Sequence, residues 1–140
     1  DVVNTAARLE ASAKQYGIYL QCTTDTLQMA GPEDFAWRTI DKVKVVGKAE
    51  AVETVEILGL QGHLSPQQVE LCALYHQGLA LYRQQCWDEA LAHFTASERL
   101  EDVFPQRHTT PSRVYMERCT LFKATPPGAD WDGTWSLTEK

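Results

Sequence analysis

The sequence predicts an α+β protein: a mixed helix-and-strand unit over residues 1–59, a short linker at 60–66, and an all-helical unit over residues 67–140. Three observations predict it. Apolar residues recur at helical spacing near the start. Two stretches between residues 35 and 58 alternate as strands do. A connector rich in Gly, Ser and Pro, "GLQGHLSP" at 59–66, is followed by a second long helical period.

Each element can be justified in turn. Val2, Val3, Ala6, Leu9 and Ala13 share one face of a helix running to Tyr16, with Asp1 placed to cap it and Gly17 to stop it. "IYLQC" at 18–22 reads as a short buried strand. "TTDTLQMAG" at 23–31 reads as a short helix capped by Thr23 or Thr24 and ended by Gly31. "FAWRTIDKVKVV" at 35–46 and "AVETVEIL" at 51–58 read as strands joined by a turn at Gly47-Lys48-Ala49-Glu50, which makes a β-hairpin. Beyond the connector, Ser65 caps and Pro66 opens a helix to about Gln84. A second helix runs from about Trp87 to Leu100 and a third from Ser112 to Phe122, where Val114, Cys119, Leu121 and Phe122 offer an apolar face. The tail "ATPPGADWDGTWSLTEK" has no helical period.

Composition narrows the function classes. With 140 residues the chain has room for one modest domain or two small units. Apolar residues make up 44% and charged residues 23%, a composition that argues against disorder. The net charge of −6 with no basic stripe argues against a nucleic-acid partner. Apolar runs are too short to span a membrane, and no secretory leader is visible. Cys22, Cys72, Cys86 and Cys119 form no C-x-x-C pair and have no histidine at zinc-finger spacing, so they read as reduced, packed thiols. His63, His76, His93 and His108 are scattered and receive no role.

Gly78, Ala90 and Phe94 stand 12 and 4 residues apart, and "YRQQCWDEALAHF" resembles the turn and second helix of a tetratricopeptide unit. Small residues at 78 and 90 would let two helices approach closely, with Phe94, Leu74, Leu81 and Leu91 filling the seam. One such unit cannot bury its face alone, so the third helix or another surface must cover it.

The chemistry rests on "VNTAARLE". Asn4 and Arg8 stand one helical turn apart, on one face. By spacing alone this describes a solvated arginine and an amide near a helix start. In context, with a strand, a short helix and then "KVKVVGKAEAVETVEI" following, residues 1–58 resemble the C-terminal part of the catalytic domain of class III nucleotidyl cyclases. There a G-D-x-V-N-x-A-x-R-L motif opens a helix and a lysine-bearing hairpin closes the domain.

The resemblance implies a ferredoxin-like catalytic domain and an activity, conversion of ATP to cyclic AMP and pyrophosphate. It assigns the ribose contact to Asn4 and stabilisation of phosphate charge to Arg8. A guanidinium held beside the phosphates suits that role, because charge builds there as the 3′-hydroxyl attacks. The family places a phosphate-contacting lysine where this sequence has Val46; Lys48, and less directly Lys44, are the substitutes. A solvated hairpin edge describes both lysines equally well. The family's two Mg²⁺ or Mn²⁺ ions are held by aspartates that would precede Asp1, and its sites form between two chains. The resemblance therefore implies the Asn/Arg half of a two-chain, two-metal site, a homodimeric parent, ATP as substrate and no activity of this piece alone. The residues that choose between adenine and guanine also lie upstream, and adenine is the expectation. Together with the helical unit, "DWDGTWSLTEK" resembles the cytoplasmic end of bacterial membrane-anchored cyclases. A degenerate cyclase remnant serving as an interaction module is the alternative.

Overall fold

The computed structural model describes the backbone of residues 2–45 and 50–137, and the side chains of 8–44 and 50–136. It is mixed α and β. A four-stranded sheet lies against helices: α1 (Val2–Tyr16), β1 (Gln21–Thr23), α2 (Thr24–Ala30), a 3-10 turn at Pro32–Asp34, β2 (Phe35–Val45), β3 (Val52–Leu60), α3 (Pro66–Arg83), α4 (Trp87–Glu98), α5 (Pro111–Ala124) and β4 (Trp135–Leu137).

Helix α1 buries Ser12, Ala13 and Tyr16 and exposes Arg8, Glu10, Lys14 and Gln15, the one-sided pattern its spacing predicts. It ends where Gly17 enters the left-handed region at φ +76°. The Ile18 amide then donates back to the Ala13 carbonyl at 3.0 Å. That wrap takes residues 17–20 out of extended geometry, so the strand expected at 18–22 begins only at Gln21. Helix α2 has the expected caps: the Thr23 hydroxyl accepts from the Thr26 amide, and Gly31 closes the other end in the left-handed region.

The sheet order is β1-β3-β2-β4. Strands β2 and β3 form the expected antiparallel pair, with Phe35 opposite Leu60 and Val43 opposite Val52. The pairing extends β3 two residues into the expected connector, which shortens to a turn at 61–62 before the Ser65 cap. The hairpin turn at Gly47, Lys48 and Ala49 lies outside the described residues. A bulge between Thr39 and Asp41 places Ile40 and Asp41 both in the interior, at 0% and 1% exposure. Strand β4, from the tail, pairs parallel with β2, Val43 opposite Trp135 and Lys44 opposite Ser136.

Helix α3 starts with a capping box between Ser65 and Gln68. Its Gly78 faces Phe94 so closely that an added Cβ would sit 3.1 Å from the ring. The helical core collects Tyr75, Leu79, Tyr82, Ala90, Phe94, Tyr115 and Cys119. Phe94 stacks on Tyr115 at 5.0 Å between centroids. Trp131 of the tail packs into the same cluster, 5.2 Å from Tyr82. Leu121, expected on the inner face of α5, is instead 51% exposed; Tyr115 and Arg118 take that face. The helices also close onto the sheet: the hydroxyls of Tyr75 and Tyr115 both donate to the Ile40 carbonyl. All four cysteines are free thiols, and burial pushes Cys119 up to about 12.

Candidate functional site at the junction of α1, β2 and α5

The residues singled out from sequence fall on two elements. Asn4 and Arg8 are on α1, one turn apart; Arg8 is exposed, and the Asn4 side chain lies outside the described residues. Lys44 is exposed near the end of β2. Lys48 and Val46 lie outside the described residues. Among the described residues no ion pair involves Arg8 or Lys44.

What joins these two elements is a buried polar node absent from the sequence reading. Tyr16, at the end of α1, donates a hydrogen bond to Asp41 Oδ2 on β2. Arg118 Nη2 on α5 donates to the same oxygen at 2.8 Å and to the Tyr16 hydroxyl oxygen at 3.2 Å. The Lys42 amide donates to Asp41 Oδ1 at 2.8 Å. The Tyr115 hydroxyl, whose one proton goes chiefly to the Ile40 carbonyl at 2.6 Å, lies 3.0 Å from the same oxygen. Three full donors and a share of a fourth hold the carboxylate in place as a fixture of the fold. Burial pushes the Tyr16 pKa well above its ordinary value, with the Asp41 charge adding and Arg118 opposing. Burial works against the charge on Arg118, but Asp41 and the neighbouring tyrosines hold its pKa well above normal. The Trp135 ring covers the guanidinium at 3.9 Å. Beside it opens a cleft of about 310 Å³ lined by Tyr16, Val114, Glu117, Arg118, Leu121 and Trp135.

A second buried node ties the sheet to the α4–α5 connection. Arg38 donates to Glu56 through Nη2 at 2.6 Å and to Glu101 through Nη1 at 2.7 Å. Glu101 also accepts from the Ser112 hydroxyl at 2.7 Å. Burial raises the Glu56 pKa although Arg38 pulls against it. His76 accepts from the Thr39 amide through Nε2 at 3.1 Å, and burial lowers its pKa, with Arg38 and Arg83 adding to the effect.

One signal in the sequence could have found these nodes. Arg38 and Asp41 are two of the three charges within the strand "FAWRTIDKV", and Arg118 sits one turn after Tyr115 on an apolar helix face. A charge on a face that must be buried calls for a partner.

No helix among the described residues is long and apolar enough to cross a membrane. No family model matches the chain, and no solved structure does. Two curated relatives do. The chain is 30% identical over 122 residues to a Dictyostelium discoideum protein described as adenylate cyclase, terminal-differentiation specific; the match covers 85% of this chain and 6% of that protein. It is 44% identical over 59 residues to an adenylate cyclase of Anabaena cylindrica, covering 41% of this chain and 12% of that protein. The chain therefore spans a small part of the length of either relative. Identity over most of its own length relates it to a segment of proteins named adenylate cyclase.

Proposed function

We propose that this chain is the C-terminal part of a class III adenylate cyclase, contributing Asn4 and Arg8 as one half of a two-chain site that converts ATP to cyclic AMP. The observation that carries this reading is the coincidence of two things. The chain is similar over most of its length to a protein described as an adenylate cyclase, and α1 leaves Arg8 exposed midway along it. In this reading Asn4 orients the ribose. Arg8 meets the charge that builds on the phosphates when the 3′-hydroxyl attacks. The reaction is intramolecular, so holding the ribose in line supplies much of the rate.

The described residues do not fit the metal ions such chemistry uses. No cluster of three His, Cys, Asp or Glu side chains is present among them, and Asp41, Glu56 and Glu101 are each committed to an arginine. The Mg²⁺ or Mn²⁺ ligands therefore belong, in this proposal, to a partner chain of the parent enzyme. Lys48, with Lys44 behind it, is the proposed contact to the terminal phosphates. The helical unit following the hairpin, tetratricopeptide-like by its Gly78, Ala90 and Phe94 seam, packs on the sheet of its own chain. A cytoplasmic position at the end of a membrane-anchored, homodimeric parent completes the reading.

The test is complementation. Full-length cyclase carrying this segment but lacking its metal aspartates is co-expressed with a partner that keeps the aspartates and lacks the residues equivalent to Asn4 and Arg8. Cyclic AMP that disappears with Arg8→Ala supports the half-site. No cyclic AMP from a dimer shown to form overturns it.

A further inference from the structure

The edge of β2 that faces away from β3 is closed in two ways. Over residues 39–42 fixed side chains cap it. His76 Nε2 accepts from the Thr39 amide, the Tyr75 and Tyr115 hydroxyls donate to the Ile40 carbonyl, and the Asp41 carboxylate accepts from the Lys42 amide. From Val43 onward the cover is β4, with Val43 opposite Trp135 and Lys44 opposite Ser136. A strand edge without such cover is a template for another strand. The tail that supplies β4 carries local structure of its own. The Asp132 carboxylate accepts from the Thr134 amide at 3.0 Å, and the Trp131 indole donates to the Thr134 carbonyl at 2.8 Å. Gly133 between them sits at φ +92°, where an added Cβ would lie 3.3 Å from Arg83 Cγ. Because these bonds are internal to the tail, part of its ordering cost is met before it docks.

The tail meets the body through its carbonyls and its two tryptophans. Gln85 donates to the Gly128 carbonyl at 2.8 Å, and Lys42 Nζ to the Asp132 carbonyl at 3.1 Å. Trp131 lies 5.2 Å from Tyr82 and 5.4 Å from Phe122; Trp135 lies 5.8 Å from Phe122 and covers the Arg118 guanidinium at 3.9 Å. The helical core from Tyr75 to Cys119 contains no residue of the tail, and Trp131 packs on its outside. Strand β2 keeps β3 as its partner from Phe35 to Val43. The body therefore has its core and its main strand pair without the tail. We propose that residues 126–136 are a reversible strap: they leave and re-enter as one unit while the body stays folded, and the site beneath them takes an extended peptide with two tryptophans four residues apart. The site is the β2 edge at Val43 and Lys44 together with the aromatic groove of Tyr82 and Phe122, and its occupant is the chain's own tail. Docking is by strand addition, in which main-chain bonds give affinity and the side-chain pockets give specificity. Gly133 sets the register, because a side chain there meets the Arg83 stem. Opening takes the Trp135 ring off Arg118, so the strap decides whether water reaches the Arg118–Asp41 pair. Its docking is independent of the cyclase reading.

The experiment uses the full 140-residue chain. Native-state hydrogen exchange is followed at rising, sub-denaturing urea. The protected amides of the tail are expected to exchange about 100-fold or more faster than those of Leu79 and Tyr82 in α3, with an opening that depends on urea less than about a third as steeply. A labelled synthetic peptide of residues 126–136 is then added, and its binding is read by fluorescence anisotropy. The Gly133→Ala chain, whose own strap seats poorly, is expected to stay folded and to bind the peptide about tenfold more tightly than the native chain does. A peptide that itself carries Gly133→Ala is expected to bind about tenfold more weakly. Tail amides that share both the rate and the urea dependence of α3 would overturn the strap, and so would a Gly133→Ala chain that loses its fold. Absence of peptide binding by the folded Gly133→Ala chain, or equal binding of the two peptides, would overturn the peptide site.

Discussion

Asp41 and Arg118 lie 77 residues apart in the chain and 2.8 Å apart in the fold. Their side chains are 1% and 6% exposed. Removing one partner leaves an uncompensated buried charge, which costs about 3–5 kcal/mol, whereas replacing both by apolar groups of similar volume costs much less. Arg118→Met and Asp41→Leu are each expected to lower the unfolding free energy by that amount. The double variant should lose clearly less than the sum. Urea unfolding of the three variants checks this; additive losses would show that the pair does not act as a unit.

Gly17 ends α1 where no other residue fits. Its φ is +76°, and an added Cβ would lie 1.9 Å from the Thr109 carbonyl oxygen. Gly62 has a similar φ of +84° with open space around it. Gly62→Ala therefore bears only the backbone strain, about 1–3 kcal/mol. Gly17→Ala bears the strain and must also push the 109–110 backbone away from α1. It is expected to lower the melting temperature well beyond the Gly62→Ala shift. Equal shifts would mean that the Thr109 contact carries nothing.

His76 gives the fold a pH dependence. Burial, reinforced by Arg38 and Arg83, lowers its pKa below the ordinary histidine value, and its Nε2 must stay unprotonated to accept from Thr39. The unfolded chain then binds a proton more readily than the folded one. The stabilisation is complete above about pH 6.5 and is lost as pH falls through the lowered folded value. Glu56, whose pKa is raised by burial, contributes in the opposite sense at lower pH. Comparing native protein with His76→Gln isolates the histidine part. The stability difference between them should shrink on acidification from pH 7.5 toward 5, and a difference independent of pH would refute the assignment.

Arg8 is exposed, so its loss should not disturb the fold. Arg8→Ala in the 140-residue chain is expected to change stability by no more than about 0.5 kcal/mol. In the full-length cyclase the same change is expected to lower kcat roughly 10²–10³-fold. The two measurements together separate a catalytic arginine from a structural one. A large stability change in the isolated chain would place Arg8 in the fold rather than in the chemistry.

Local signals were legible where they depend on neighbours in sequence. The Thr23 and Ser65 caps, the Gly17 and Gly31 stops, and the alternation that builds β2 and β3 all follow from residues within one or two turns of each other. The strand expected at 18–22 shifted because the Ile18 amide found the Ala13 carbonyl, a wrap whose geometry periodicity does not register. The connector shortened because Leu60 found Phe35 across the sheet. The tail gave no period, yet Trp135–Leu137 forms a strand because β2 offers it a free edge.

The sequence by itself determined the helices and the β2–β3 pair, the close α3–α4 seam through Gly78, and the placement of Asn4 and Arg8 on one helical face; the tail strand β4 it did not. Each of these is set by spacing along the chain. Only the tertiary structure decided which charges would be buried together. The Asp41–Arg118–Tyr16 node draws on β2, α5 and α1, and the Arg38–Glu56–Glu101 node on β2, β3 and the segment after α4. A buried charge must be paired, but the partner is chosen by which surfaces meet, and that choice is made when the helices close on the sheet.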